Sequence, residues 1–417
     1  MAPGEEIPGH GSEVVAFARQ AILDERGRVF GYEVLHAGGH GLSGLAADQA
    51  VARMLLEADP EWLRSLTAGH PIFVKFGRDL LVGGAGALLP PSLLIIELQP
   101  GTEVDPELDR ACSVLADAGY ALGVDSLDAG RASMHQILQH VRFVKVDAGR
   151  TTPAYRAELR TRLLPHAPRL IAAHVDTPEM AAEVRASGIR LLQGRFFSVP
   201  TCDTRTSLAQ RQIDSLRLLG EMQTADLSME ALEGIIKRDV TLTWRVLRSI
   251  NSSAYAIRRE VSSIRQALMM LGLEQVRRWA WVWVLAGVSQ GAPSEALASA
   301  LIRGRFCELA SGSLADTSLR ASAFLLGLCS TLDVLLGVPM TAIVSELPLP
   351  AIARDALVGR PNPARTLLDC AAAWERGAWA DAGRLATQLG VLPASLPTFY
   401  HESVEWAPAL QEMRQSA

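Results

Sequence analysis

From about residue 13 to residue 200, short apolar runs alternate with helical patterns. "VVAFARQAIL" and "VFGYEVLH" come first and read as neighbouring strands. "PIFVKF", "LLIIEL", "YALGVD", "RFVKVD", "RLIAAHV" and "IRLLQG" follow. Helical stretches such as "AADQAVARMLLEA", "DPELDRACSVLADAG", "TPAYRAELRTRLL" and "TPEMAAEVRASG" sit among them. Strand–helix alternation at this spacing predicts a parallel sheet, and eight or so strands favour a closed (β/α)8 barrel over an open sheet. Polar residues recur at the carboxyl ends of the strands: Glu33, Lys75, Glu97, Asp125, Asp147 and Asp176. In a barrel those ends converge on one face, where sites are built.

After "FSVPTCDTRT" the rhythm changes, helices dominate and strand signals vanish. The expected division is a barrel over 1–202 and an all-α region over 203–417. "SVPTCDTRTSLAQRQIDSLRLL" joins them without a Gly/Ser-rich linker, so a fixed relative orientation is expected. Met229, Leu232, Ile235 and Ile236 form an apolar stripe behind Ser228, with Glu230 and Glu233 in the first turn: an N-cap with dipole-favoured acids. Seven of the eight tryptophans lie in this half and read as core anchors. "WAWVWVLAGV" at 279–288 is about half the length a bilayer requires, and is expected to be a buried helix.

The formal net charge of −5 gives no global basic field of the kind non-specific nucleic-acid binding needs. Five cysteines are scattered without a CxxC pair. That argues against a structural zinc site or a disulfide framework and fits a reducing cytoplasm. The start, "MAPGEEIPGHGSE", is polar, so no signal peptide is expected.

Taken in order, "GYEVLHA", "PIFVKF", "LIIELQP", "GVDSLDAG", "RFVKVD", "AAHVDT" and "LLQGRFFSVP" resemble the successive motifs of the EAL domain. That family hydrolyses the bacterial messenger cyclic di-GMP on a TIM-like barrel. "IIKRDVTLTWRVLRSINSSAYAIRREVSSIRQALMMLGLEQVRRWA" resembles the central motif of the HDOD domain, and "AFLLGLCSTLDVLLGVPMTAIVSELPLP" the stretch that follows it in proteins joining the two. The chain thus resembles an EAL–HDOD protein of the YuxH-like type. One such motif would be weak; seven in order, followed by the HDOD pattern, are specific.

The resemblance implies a metal-dependent hydrolytic site whose parts can be checked. EAL chemistry needs cations held by carboxylates and an amide oxygen, and a base for the attacking water. Glu33 matches the glutamate of the signature, written EVL here, and Glu97 the first glutamate of the fourth-strand motif. Asp125 matches the first aspartate of DDFGTG, Lys145 and Asp147 the lysine and aspartate of KID, and Gln193 the late glutamine. Asp176 matches the final glutamate of AEGVE, one carbon shorter.

The departures carry more weight. Lys75 stands where the family has its metal-binding asparagine. Ser126 replaces the second aspartate of DDFGTG. Ala173 stands at the glutamate expected to act as base; strand alternation would turn the neighbouring His174 the other way. Ala37 stands where an arginine would grip phosphate, and Pro100 replaces the last glutamate of the fourth-strand motif. Loss of the base alone costs about 10²–10⁴ in rate. Lys75 adds a cation inside the carboxylate ring, so it is expected within ion-pair distance of Glu33, Glu97 or Asp125, the protein supplying its own counter-charge. Asp125 then reads as a structural remnant. No cofactor is implied, and Mg or Mn only if the remnant site still takes metal.

The helical half resembles HD phosphohydrolases as well, whose metal centre needs several histidines. Beyond residue 202 there is one histidine, His401. Asp239, Asn251 and Ser252 are expected to cap helices and brace loops; interaction with a partner is the other role open to them. Asp333 reads as a buried polar anchor or an interface residue. The function expected is a cytoplasmic, non-catalytic signalling scaffold that binds signalling proteins. A cyclic di-GMP receptor without hydrolysis, or a weak phosphodiesterase with a substitute base, stays open.

Overall fold

The computed structural model describes residues 17–36, 67–84, 89–125, 136–198, 227–239, 261–288 and 294–407 (313, 315 and 348 apart), with isolated residues elsewhere. Eight strands close a barrel in chain order. They are β1 (Phe17–Leu23), β2 (Val29–His36), β3 (Ile72–Phe76), β4 (Leu94–Leu98), β5 (Ala121–Asp125), β6 (Val141–Asp147), β7 (Arg169–Ala173) and β8 (Leu191–Gln193). From β2 to β8 every neighbouring pair is parallel.

β1 departs from the all-parallel expectation and runs antiparallel to both β2 and β8. The cause is chain length. A parallel return needs a crossover of a dozen or more residues, and only Asp24–Arg28 separate β1 from β2. Asp24 Oδ1 accepts from the backbone N–H of Arg26 and Arg28, both at 2.9 Å, which fixes the tight turn.

Ile22, Phe73, Ile95, Phe143, Ile171 and Leu191 fill the barrel interior. Side chains two apart on a strand share a face. The inward positions one step toward the carboxyl ends are therefore Lys75, Glu97, Lys145, Ala173 and Gln193, and the barrel packing delivers them to one mouth. The helices α1 (Arg78–Val82), α2 (Pro106–Asp117), α3 (Pro153–Leu163) and α4 (Pro178–Ala186) follow β3, β4, β6 and β7. Asp105, Thr152 and Thr177 cap α2, α3 and α4, each followed by proline at the first helical turn.

The rest is helical: α5 (Met229–Lys237), α6 (Ile264–Leu271), α7 (Leu273–Val288), α8 (Ser294–Ser311), α9 (Thr317–Cys329), α10 (Leu332–Leu336), α11 (Met340–Ile343), α12 (Ala351–Leu357), α13 (Pro363–Glu375), α14 (Trp379–Gln388) and α15 (Leu396–Trp406). Ser228 caps α5 as its sequence signals, and Leu232, Ile235 and Ile236 are buried; Met229 is exposed instead of joining the stripe. Trp281, Trp283 and Trp374 are core anchors, but Trp244 is half exposed. Among the described residues no helix is long and apolar enough to cross a membrane. α8 and α9 approach closely because Gly327 carries no side chain: a Cβ there would lie 2.5 Å from the carbonyl oxygen of Arg303.

One apolar core runs through both halves, from Phe17 to Val404. α8, α13 and α15 cover the outer face of β1, as an outer helix does in a regular barrel. Trp374 Nε1 donates to the Phe17 carbonyl at 3.1 Å, and the Arg19 backbone N–H donates to Tyr400 Oη at 3.3 Å. Tyr32 Oη donates to Glu295 Oε2 at 2.7 Å, and Arg19 lies 3.7 Å from Glu295 Oε1.

Candidate functional site

The barrel mouth holds a buried cluster of Glu33, Glu97, Lys145 and Gln193, with Lys75 at its edge. Lys145 Nζ bridges the two carboxylates, 2.8 Å from Glu33 Oε2 and 2.8 Å from Glu97 Oε2. Lys75 Nζ meets the other oxygen of Glu33, Oε1, at 2.7 Å. The Gln193 amide donates to Glu33 Oε2, and to Gln20 Oε1 at 2.8 Å. The Lys75 side chain is 40% exposed and that of Lys145 only 7%, so Lys145 is the deeper counter-charge.

Two ammonium groups face two carboxyl groups, so the cluster balances its own charge. Burial pushes the Glu33 carboxyl up, but the Lys145 and Lys75 ammonium groups and the Gln193 amide outweigh it and hold the group well below the usual carboxylate range. Glu97 moves the other way. Burial raises it, helped by the negative charge of Glu33, and Lys145 offsets this in part.

The described residues do not fit the metal that the resemblance implies. Among the described residues no group of three His, Cys, Asp or Glu side chains is placed to hold a metal ion. Both oxygens of Glu33 already face ammonium groups, and Glu97 Oε2 faces Lys145. Gln193 Oε1 is a buried oxygen without a hydrogen-bond partner there. Among the described residues the carboxylates of the mouth are shared with two ammonium groups, which repel a divalent cation. The Lys75 ammonium, 2.7 Å from Glu33 Oε1, offers no lone pair to a cation.

The other expected site residues are spread around the mouth. Asp125 ends β5 in register with Lys145; its side chain, and Ser126, Ala37 and Ser252, lie outside the described residues. Asp147 binds its own loop, accepting from the N–H of Gly149 at 2.9 Å and Arg150 at 3.1 Å. Asp176 accepts from the Arg195 N–H at 3.2 Å. Ala173 ends β7 beside Asp147. Strand alternation fails at His174, because β7 has stopped and the residue takes a left-handed backbone with φ 56°. Its ring Nδ1 lies 3.1 Å from Asp147 Oδ2. Gln20 joins the mouth as well; its signal in the sequence is a polar residue at an inward position of the antiparallel strand, opposite Glu33 in register.

In the helical half, Asp239 Oδ1 accepts from the Leu242 N–H at 3.0 Å. Asn251 bridges the chain to Val261, its Nδ2 donating to the carbonyl at 2.8 Å and its Oδ1 accepting from the N–H at 2.7 Å. These are capping and loop-bracing hydrogen bonds. Asp333 is largely buried and accepts from the Val334 N–H at 2.9 Å. Burial pushes the Cys112 and Cys329 thiols up to about 12, which leaves them inert as nucleophiles near neutrality.

Residues 215–333 match the HDOD domain. The chain is 28% identical over 416 residues to the Bacillus subtilis protein named "Uncharacterized protein YuxH", covering 96% of this chain and 100% of that one. It is 28% identical over 384 residues to the Vibrio cholerae protein named "Cyclic di-GMP phosphodiesterase CdgJ", covering 89% of this chain and 88% of that one. Among solved structures, the Klebsiella pneumoniae BlrP1 calcium/cyclic di-GMP complex is similar at 24% identity and TM-score 0.37, over 48% of this chain and 58% of that one. The EAL enzyme Bd1971 in its cAMP-bound form is similar at 14% identity and TM-score 0.38, over 44% of this chain and 62% of that one. The aligned part thus spans less than two thirds of either structure. The protein is a closed eight-strand barrel followed by a helical region that contains the HDOD domain.

Proposed function

We propose that this chain is a cytoplasmic signalling protein of cyclic di-GMP pathways whose barrel does not hydrolyse the messenger, and that it acts by binding other signalling proteins. The resemblance to EAL–HDOD proteins and the 28% identity to a cyclic di-GMP phosphodiesterase along most of the chain support the pathway. The observation that carries the loss of catalysis is the double ammonium cover on Glu33, from Lys75 at 2.7 Å and Lys145 at 2.8 Å. A carboxylate neutralised in this way offers nothing to a metal, and Ala173 leaves the base position empty of chemistry. The binding role draws support from apolar side chains left in solvent on the HDOD stretch: Met269 at 70%, Trp244 at 50% and Met270 at 48% exposure.

A second reading, a slow phosphodiesterase, rests on His174 and Asp147. A histidine hydrogen-bonded to a carboxylate is the arrangement of an oriented general base. Calorimetric titration with cyclic di-GMP, with and without Mg²⁺, and product analysis of the same samples separate the readings. The proposal expects no linear product. Turnover that Glu33→Ala or His174→Ala abolishes supports the slow enzyme, and tight binding without turnover supports a receptor.

A further inference from the structure

A cavity of about 330 Å³ lies between the barrel and the helical region. Part of its charged lining is paired within the protein, Arg19 lying 3.7 Å from Glu295 Oε1. Arg303 forks onto Glu375, with Nε–Oε1 at 3.0 Å and Nη2–Oε2 at 2.6 Å, and donates to Ser330 Oγ at 3.0 Å. What remains for a ligand is a distinct set. Phe197, from the segment after β8, and Ile302, on α8, give the cavity apolar walls. Thr331 also lines it; its Oγ1 is buried and has no hydrogen-bond partner among the described residues. A buried hydroxyl left unpaired is unfavourable, so such groups mark a place where something else bonds. Two further arginines line the cavity and are solvent-exposed, Arg376 and Arg195, the latter with its Nε 3.4 Å from Asp176 Oδ1.

This combination selects an occupant. An apolar slot beside an aromatic ring takes a planar ring system. The buried Thr331 hydroxyl takes its hydrogen-bonding edge. Two guanidinium groups at the solvent side take an oxyanion, which arginine grips better than any other side chain. The volume is at the small end of ligand sites, room for one nucleotide and not for two.

We propose that this cavity binds a nucleoside monophosphate, base inward against Phe197 and Thr331, phosphate outward on Arg195 and Arg376. The ligand would touch the barrel and the helices at once, and so report to one half on the occupancy of the other. The site is separate from the Glu33 cluster and does not depend on whether the barrel catalyses.

The test is calorimetric titration of the full chain with GMP and AMP, and with guanosine, adenosine and inorganic phosphate as controls. At least one monophosphate should bind at one per chain, about tenfold or more tighter than its nucleoside or phosphate alone. Arg376→Ala and Thr331→Val should each weaken it severalfold, and Lys75→Met should not. Arg376 is exposed, so its variant will fold. Absence of saturable binding at millimolar GMP and AMP overturns the proposal. So does binding that either cavity variant leaves unchanged, binding that Lys75→Met weakens equally, or binding matched by phosphate alone.

Discussion

Lys145 Nζ sits 2.8 Å from Glu33 and 2.8 Å from Glu97, bridging two strands that carry the first acidic positions of the barrel mouth. It joins β6 to β2 and β4 across the barrel interior. Removing one partner of a buried ion pair leaves an uncompensated charge and costs about 3–5 kcal/mol. Lys145→Met is therefore expected to destabilise the barrel by about that amount. Lys75 is 40% exposed, and an ion pair that reaches solvent is worth about 1 kcal/mol or less. Lys75→Met should cost correspondingly little. Urea unfolding of both variants checks the order; equal costs would contradict the depth assigned to each lysine.

The fate of Glu33 with pH follows from its depressed carboxyl. A group whose folded pKa lies below its unfolded value, about 4.3, contributes stability that is fully present above that value. The contribution is lost as pH falls through the lower folded value. Lys75 is one cause of the depression. Below about pH 4 the loss should therefore continue to lower pH in the wild-type protein than in Lys75→Met, and so be the larger by about pH 2. Denaturant melts across that window test it, and parallel curves would remove Lys75 from the account.

Divalent metal should leave the melting temperature of the wild-type protein unchanged, because the oxygens it needs already face ammonium groups. Lys75→Asn restores an oxygen ligand and should gain a metal-dependent upward shift at millimolar Mg²⁺ or Mn²⁺. Thermal melts with and without metal decide this; a clear shift in the wild type would contradict the self-neutralised site.

The barrel and the helices should move as one body. Glu295 is buried at their junction, where it accepts from Tyr32 Oη at 2.7 Å and faces Arg19. Glu295→Ala would remove the carboxylate that faces the Arg19 guanidinium and the Tyr32 hydroxyl, at a cost of about 3–5 kcal/mol, and should split one cooperative transition into two. Solution scattering of the wild type should fit one orientation; a broad ensemble of separations would contradict the junction.

Much of this was legible in the sequence, and the remainder was hidden for physical reasons. Period-two runs ending in Glu33, Lys75 and Glu97 mark strands and their mouth, since a buried strand has few other ways to place a charge. The reversal of β1 was encoded in the short connection Asp24–Arg28, a local signal outweighed by the parallel rhythm around it. His174 escaped strand logic because β7 ends one residue earlier. Asp147 and Asp176 align with site motifs, yet their carboxylates hold nearby loop N–H groups, a choice set by backbone geometry beyond the strand. The Tyr32–Glu295 bond joins residues 263 apart, and no pattern within one segment reports such a pairing.

The central claim is that the barrel no longer linearises cyclic di-GMP, and chromatography of the product after prolonged incubation with Mg²⁺ or Mn²⁺ tests it most directly. The account expects no linear dinucleotide above a protein-free control. Linear product formed by the wild-type chain and abolished in Glu33→Ala would contradict it.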